Sequence, residues 1–539
     1  MRNRLLLTLA SLALVPAMAL AAQEPSTNIG DINFPNSGSP EAQGSFLRGV
    51  AALHNFWFDE AADEFKNAQE IDPNFALAYW GEAMSYNHPL WAEQDIAAAR
   101  ATMMRFGKTR KERMEKTPTE RERMYMEALE ILYGEGDKLA RDKAYEKHMA
   151  KMQEMYPEDI EASVFHALSI LGTVRRGEPG FYRQVRAGAI ALEVFEKYPN
   201  HPGAAHFVIH SFDDPTHAPL ALEAAEKYAL IAPAASHARH MPTHIFVQHG
   251  MWDRVAKSNA DAFEASSAWV ERKNLSIAKK DYHSLEWRAY ANAQRGVWGD
   301  IQESIDIVEA AANETNDARL RWYQQIMEAR YLAVTGKDDG RPLPEVTAET
   351  GGRYGNANTD MLLALGLGAG KAKNAARTEE AAARMAKYVE LAEQKGDTYE
   401  ARNYAIMMHE LNASAAMARG ETEEALSQLA EAVALEDLQD PPSGPANPIK
   451  PSHELYGEFL VKAGKYQEAI EVLNVSLQRT PNRTYSLLAL ARAADKLGDV
   501  ETASVAYATL RMFLVDADPD VPFLAEVRNY GASTDDAGN

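Results

Sequence analysis

The chain has 539 residues, of which 46% are hydrophobic, and it contains no cysteine. A chain of this length can bury a large core, and without thiols it forms no disulfide and no cysteine-ligated metal site. Its formal net charge of −22 argues against a nucleic-acid partner, because proteins that bind nucleic acid normally present a basic surface.

The first 21 residues have the composition of a secretory signal peptide. Two arginines precede an apolar run from Leu5 to Leu20, and Ala19 and Ala21 provide the small residues of a cleavage site. The run is shorter than the roughly 20 residues that a membrane-spanning helix needs. We therefore predict an exported protein, periplasmic or secreted, that is cleaved near Ala21 and has no membrane span after cleavage.

The rest of the chain is predominantly helical in pattern, since apolar residues recur at a spacing of three and four. Polar, Pro-rich or Gly-rich stretches interrupt this pattern. The interruption at residues 437–452 contains five prolines. It is interpreted either as a lid or groove-filling segment or as a plain insertion. The predicted segments are a disordered leader (22–42), an N-terminal helical array (43–334), a loop (335–358), further helices (359–436), a Pro-rich loop (437–452), a C-terminal helix pair (453–520) and a tail (521–539).

Small residues recur at a fixed interval near the C-terminus. Gly464 and Ala469 are followed, 34 residues later in each case, by Gly498 and Ala503. A period of 34 residues is that of a helix–turn–helix repeat. The chain thus resembles the tetratricopeptide repeat (TPR) family, and its segments 201–219, 241–253 and 450–458 resemble exported bacterial members of it. The resemblance implies an all-α solenoid, a right-handed superhelix of antiparallel helix pairs with a concave groove.

Histidines are concentrated in one part of this array, since nine of the 15 lie between His201 and His283. In the TPR register, histidines occupy the same two positions of successive repeats, and the resemblance implies that these positions face the groove. His206 and His210 form one pair four residues apart, and His240 and His244 form another, so each pair shares a helix face. The predicted metal site consists of His206, His210, His240, His244, His283 and Glu286.

Imidazole is a good ligand for Zn, Cu and Fe, and we expect one of these metals. Two imidazoles that reach from neighbouring helices can share one ion. Pro242 weakens the prediction, because a proline inside a helix breaks it between His240 and His244. Other histidines, such as His166, His201, His217 and His249, are interpreted as core residues, repeat edges or caps. The remaining residues predicted to line a ligand-binding groove are His54, His88, His237, Tyr290 and Glu454.

Two functions remain open on this sequence. The first is a transition-metal site in the groove, for metal binding or for metal-dependent chemistry. The second is a periplasmic adaptor or scaffold whose groove binds a peptide or protein partner, with no metal and no catalysis. The sequence contains no phosphate-binding loop, dinucleotide-binding fingerprint or HExxH zinc motif, so it assigns no reaction.

Overall fold

The computed structural model describes residues 28–337, 340–348 and 356–531, so the predicted signal peptide lies outside the described residues. Within these ranges the fold is almost entirely helical, which confirms the predicted all-α class. Two short strands, β1 (Asn87–His88) and β2 (Glu93–Gln94), pair antiparallel. None of the helices in the described ranges combines the length and apolar character that crossing a bilayer requires.

The helices fall into three successive stretches of the chain. Those of the N-terminal part are α1 (Gln43–His54), α2 (Phe58–Ile71), α3 (Ala76–Met84), α4 (Ile96–Phe106), α5 (Arg110–Lys116), α6 (Glu120–Leu132), α7 (Lys138–Met155), α8 (Ile160–Leu171) and α9 (Tyr182–Lys197). Those of the middle part are α10 (Pro202–Ser211), α11 (Leu222–Ile231), α12 (Ser236–His240), α13 (Pro242–Gln248), α14 (Trp252–Arg272), α15 (Tyr282–Arg295), α16 (Trp298–Thr315) and α17 (Ala318–Thr335).

The C-terminal part contains α18 (Ala357–Lys371), α19 (Ala375–Lys395), α20 (Thr398–Arg419), α21 (Thr422–Glu436), α22 (Ser452–Lys462), α23 (Tyr466–Arg479), α24 (Thr484–Leu497), α25 (Val500–Phe513) and α26 (Leu524–Asn529). Short 3₁₀ helices occur at Pro40–Ala42, Pro89–Trp91, Ala218–Ala221 and Ile277–Lys279.

Successive helices pack against one another through short turns, as in an array of helix pairs. Gly464 and Gly498, the two glycines at the 34-residue interval, occupy equivalent turns between α22 and α23 and between α24 and α25. Their φ angles of 76° and 77° lie in the left-handed region, which glycine adopts without the steric penalty of a Cβ atom. The repeat in the sequence is therefore a repeat of this turn.

The prediction of a disordered leader is wrong for residues 28–42. Phe34 is 2% exposed, and its ring centroid lies 5.0 Å from that of Tyr125 and 5.7 Å from that of Trp80. The backbone nitrogen of Asp31 donates to the carbonyl oxygen of Asn200 at 3.2 Å. This segment is held by contacts with distant helices, and Phe34 is the apolar side chain that fixes it.

The C-terminal helices fold back onto the middle of the array. Trp252 Nε1 donates to the carbonyl oxygen of Asn482 at 3.0 Å, and the backbone nitrogen of Asp518 donates to the carbonyl oxygen of Gly296 at 2.9 Å. The apolar side chains of α15–α17 share one core cluster with those of α24–α26. Part of the predicted tail, as far as residue 531, thus belongs to the folded core rather than lying apart from it.

The two predicted loops fall, in sequence, between α17 and α18 and between α21 and α22. Residues 340–348, within the first, have no regular secondary structure, although Leu343 is buried. The Pro-rich segment between α21 and α22 packs inward, since Ala446 and Ile449 are buried. Gln248 Nε2 donates to the carbonyl oxygen of Pro442 at 3.1 Å, which connects this segment to α13.

Candidate metal centre

Six imidazoles from four helices lie in one continuous row. Neighbouring members of the row have ring centroids 4.6–6.2 Å apart. The members are His206 and His210 on α10, His237 and His240 on α12, His244 on α13 and His283 on α15.

The row divides into two groups of three. Site A contains His206, His210 and His237, and site B contains His240, His244 and His283. In each group, one nitrogen atom from every imidazole lies within 4.8 Å of those of the other two. The two sites adjoin, because the ring centroids of His210 and His244 are 5.7 Å apart. His206 and His210 therefore lie in one group and His240 and His244 in the other, whereas the sequence predicted a single site that contains both pairs.

In site B, two imidazoles are oriented by acceptors behind them. His240 Nδ1 lies 2.7 Å from Asn259 Oδ1, and His244 Nδ1 lies 2.5 Å from Asp213 Oδ2. These oxygen acceptors assign the proton to Nδ1 in both rings, which leaves the Nε2 atoms with lone pairs. The two Nε2 atoms lie 3.1 Å apart. An acceptor behind Nδ1 and a lone pair on Nε2 form the usual arrangement of a metal-ligating histidine.

In site A, His206 shows the same arrangement. Its Nδ1 lies 2.6 Å from the carbonyl oxygen of His54, and its Nε2 lies 3.1 Å from Nε2 of His237. The last turn of α1, which carries His54, thus orients a side chain of α10 that is 152 residues away in sequence. His210 completes the site from one turn further along α10.

An aromatic side chain packs on the rings of each site. Phe56 lies 4.4 Å from His206 and 5.6 Å from His237 between ring centroids. Trp287 lies 4.9 Å from His240 and 4.4 Å from His244. These rings shield the imidazoles from water. The side chain of His283 remains 44% exposed.

Burial favours the neutral form in four imidazoles of the row. Burial lowers the pKa of His206 to about 3, and neighbouring imidazoles oppose protonation further. Burial, followed by the charges of neighbouring imidazoles, also lowers the pKa of His210, His237 and His240 well below the ordinary value. Neutral imidazole is the form that binds a metal, so these four rings are ready to coordinate at neutral pH.

Pro242 breaks the helix as expected, because α12 ends at His240 and α13 begins at Pro242. Met241 between them keeps right-handed helical angles, φ −53° and ψ −37°. The backbone therefore continues in nearly the same direction across the break. His240 and His244 do not share one continuous helix, and their side chains nonetheless meet.

Glu286 was predicted to be a metal ligand, but it lies beside site B and outside its three-nitrogen group. Its carboxylate forms an ion pair with Arg330 of α17, and Oε2 is 4.0 Å from Nδ1 of His283. Arg330 competes for the lone pairs of this carboxylate, so Glu286 is a neighbour of His283 rather than a member of the three-nitrogen group. The sixth member of the row is His237, which was predicted only to line the groove.

The other predicted groove residues are separated from the row or buried. His88 is half-buried and stacks on Phe58, with 4.1 Å between ring centroids. Tyr290 accepts a hydrogen bond from Arg483 Nη1 at 3.0 Å, and Arg483 also binds both carboxylate oxygens of Glu454 at 2.8 and 2.9 Å. Tyr290 and Glu454 are therefore part of a buried ionic network, contrary to the expectation that they face an open groove.

A third group, missed in the sequence, brings His54 and His201 together on Glu161 of α8. His54 Nε2 lies 2.7 Å from Glu161 Oε2, and His201 Nε2 lies 3.2 Å from Oε1. Although burial by itself raises the pKa of Glu161, the two imidazoles lower it to about 2. His201 also caps α10, since its Nδ1 accepts from the backbone nitrogen of Ala204 at 3.1 Å. We interpret this group as the support that fixes α1 and α10 behind site A.

No protein-family model matches this chain, and no curated protein matches it. Among solved structures, it is similar to the crystal structure of the APC/C hetero-tetramer Cut9-Hcn1, with 12% identity, 93% of this chain and 78% of that chain covered, and a TM-score of 0.34. The human IFIT1 dimer with m7Gppp-AAAA has 12% identity, 90% and 92% coverage and a TM-score of 0.30. The P58(IPK) TPR domain has 11% identity, 86% and 99% coverage and a TM-score of 0.21. Similarity at this level carries no conclusion about ligands or partners of this chain.

Proposed function

We propose that the row of six imidazoles is a dinuclear transition-metal centre, in which site A and site B each hold one ion. The observation that carries the proposal is the contact between His240 and His244. Both rings have an oxygen acceptor behind Nδ1, and their Nε2 lone pairs face each other at 3.1 Å. Two lone pairs at this distance repel unless a cation lies between them.

A metal ion bound by both Nε2 atoms supplies such a cation. Burial and the neighbouring imidazoles lower the pKa of His240 well below its ordinary value, so protonation of this ring is unfavourable at neutral pH. Two nitrogen ligands at about 2.0–2.1 Å from one tetrahedral ion are roughly 3.3 Å apart. The observed 3.1 Å is close to this separation.

The donor set favours copper or zinc over iron. Each site offers three imidazole nitrogen ligands, and the nearby carboxylates of Asp213 and Glu286 are engaged by His244 and Arg330. Imidazole suits Cu and Zn, whereas non-haem Fe(II) sites usually include a carboxylate ligand. Three protein ligands leave a coordination position open for water or a substrate, as in catalytic metal sites.

We also propose that the protein works outside the cytoplasm, on the evidence of its first 21 residues. The alternative function is a metal-free adaptor for a peptide or protein. An array of helix pairs does present a large surface to partners. Against this alternative, a protein-binding surface gives no reason for three imidazoles to have their Nδ1 atoms fixed by oxygen acceptors.

The proposal is tested by metal content. Untagged protein is stripped with chelator, reconstituted with Zn²⁺ or Cu²⁺, desalted and analysed by mass spectrometry. We expect about two ions per chain, because each three-nitrogen group holds one. His237→Phe and His244→Phe, which keep a ring but remove the nitrogen ligands, should each lose about one ion.

His148→Phe provides the matched control, since His148 lies on α7 outside the row, with its Nε2 atom 2.9 Å from the carbonyl oxygen of Met124. It should keep both ions. Circular dichroism of all three variants checks that they fold. Fewer than about 0.2 ions per folded chain after reconstitution would refute the centre and leave the adaptor as the function.

A further inference from the structure

A second candidate site lies in a cleft between α17, α18, α20 and the Pro-rich loop. The cleft encloses about 630 Å³ of space, part of it open to solvent, which is within the usual range for small-molecule sites. It adjoins the candidate metal centre through Arg330, which lines the cleft and forms an ion pair with Glu286. Its walls carry both charges and apolar side chains.

The charges in the cleft are only partly compensated. Asp360 is 9% exposed, and its Oδ1 atom is buried without a hydrogen-bond partner among the described residues. Arg330 has a buried Nε atom that likewise finds no acceptor in the described part of the chain. A buried donor or acceptor that makes no hydrogen bond has lost its hydration without compensation. A ligand that offers both an acceptor and a donor would satisfy the two together.

The neighbouring charges exclude simple ions as ligands. Arg176 and Glu400 compensate each other in an ion pair at 2.7 Å, which leaves Asp360 and Arg330 for a ligand. A plain anion would meet the carboxyl group of Asp360, and a plain cation would meet the guanidinium group of Arg330. A zwitterion avoids both repulsions. Apolar surface completes the wall and suits an apolar side chain on the ligand; it is provided by Trp322, Ile326 and Met407.

We propose that this cleft binds a free α-amino acid with an apolar side chain, holding its carboxylate at Arg330 and its ammonium group at Asp360. The ionisation of the two protein groups is compatible with these roles. Burial raises the pKa of Asp360 to about 7, with Arg330 opposing the shift, and an adjacent ammonium group restores the ionised form. Burial lowers the pKa of Arg330 to about 10, so it remains charged at neutral pH.

The test is isothermal titration calorimetry of metal-free full-length protein with L-leucine, L-methionine and L-phenylalanine. Two analogues of leucine each lack one charged group: 4-methylpentanoate has no ammonium group, and isoamylamine has no carboxylate. We expect at least one amino acid to bind, and the leucine analogues to bind at least about tenfold more weakly than that amino acid, because each leaves one buried group unpaired.

The variants are Asp360→Asn and Arg330→Gln, with Asp306→Asn on the exposed side of α16 as the matched control. Both cleft variants should weaken binding by at least about tenfold, and the control should not change it. Absence of binding by all three amino acids, or equal affinity of the wild type and the folded Asp360→Asn variant, would overturn the proposal. Because the protein is metal-free in this experiment, neither result depends on the metal centre.

Discussion

At the scale of single residues, burial decides the ionisation of Asp360. Its folded-state pKa of about 7 is above the ordinary value of 3.8, so between these values the folded protein binds more protons than the unfolded chain. The stability contributed by the protonated carboxyl is therefore fully present at low pH and is lost as the pH rises through the folded-state pKa. Asp360→Asn should raise the melting temperature relative to wild type at about pH 8 and have little effect near pH 4.

Differential scanning calorimetry of the two proteins between these pH values measures this difference. Asp306→Asn should leave the melting temperature unchanged across the range, since Asp306 is exposed. A gain in stability that is the same at both ends of the range would contradict the raised pKa and point to a simple packing effect.

Residue types and register predicted most members of the row but not their grouping. The spacing of four residues correctly places His206 near His210, because both lie on α10. The partner of His206 Nε2 is His237, which belongs to another helix. Which imidazoles converge depends on how α10, α12 and α15 pack. The distances between these helices are set by contacts between residues far apart in sequence. Asn259, the acceptor behind His240, has no sequence signal for the same reason.

At the scale of elements, the Pro-rich loop supports site B through Trp287. Gly444 has a φ of 134°, and a Cβ atom there would lie 2.6 Å from Cζ2 of Trp287. Trp287 in turn packs on His240 and His244. Gly444→Val should displace the indole and weaken metal binding at site B by about tenfold, a typical effect of disturbing the surroundings of ligands.

A chelator competition titration resolves the two sites, and site A should keep its affinity. Gly420→Val is the matched control, because Gly420 also has a positive φ, 83°, but its added Cβ would meet no atom of the described residues within 4 Å. The control separates backbone strain from the contact with Trp287. Equal weakening in both variants would show that the loop has no specific role at site B.

Helix pairs and turns were predictable because they depend on local spacing. Gly464 and Gly498 mark turns that any helix pair of this type needs. The leader was not predictable in the same way. Its composition is that of a disordered segment, but Phe34 packs between Phe46 and Tyr125, and Ile29 and Ile32 also pack against the core. Such long-range burial leaves no periodic pattern in the sequence.

At the scale of the whole molecule, the array is closed by contacts between its middle and its C-terminal end. The centre of this closure is Arg483, which precedes α24 and is 2% exposed. It binds Glu454 through two hydrogen bonds and donates a third to Tyr290 of α15. Although burial alone raises the pKa of Glu454, the charges of Arg483 and Lys450 lower it overall, so the carboxylate is ionised.

Arg483→Met should therefore destabilise the protein strongly, because it leaves the buried carboxylate of Glu454 with Lys450 and Ser486 as its remaining partners. Breaking a buried ion pair from one side costs about 3–5 kcal/mol. Since Arg483 connects α24 to α15, hydrogen exchange should accelerate in both helices, including the turn of α15 that carries Tyr290. The measurements are calorimetry and hydrogen exchange followed by mass spectrometry.

Arg492→Met is the matched control, because Arg492 also pairs with a carboxylate, that of Glu526, but its side chain is 44% exposed. Exposed pairs of this kind contribute about 0–1 kcal/mol, so this variant should melt close to wild type. Equal destabilisation by the two substitutions would argue that the buried contacts of Arg483 do not hold the C-terminal helices against the middle of the array. Unchanged exchange in α15 would show instead that the C-terminal helices are held mainly by the apolar contacts of α25 and α26.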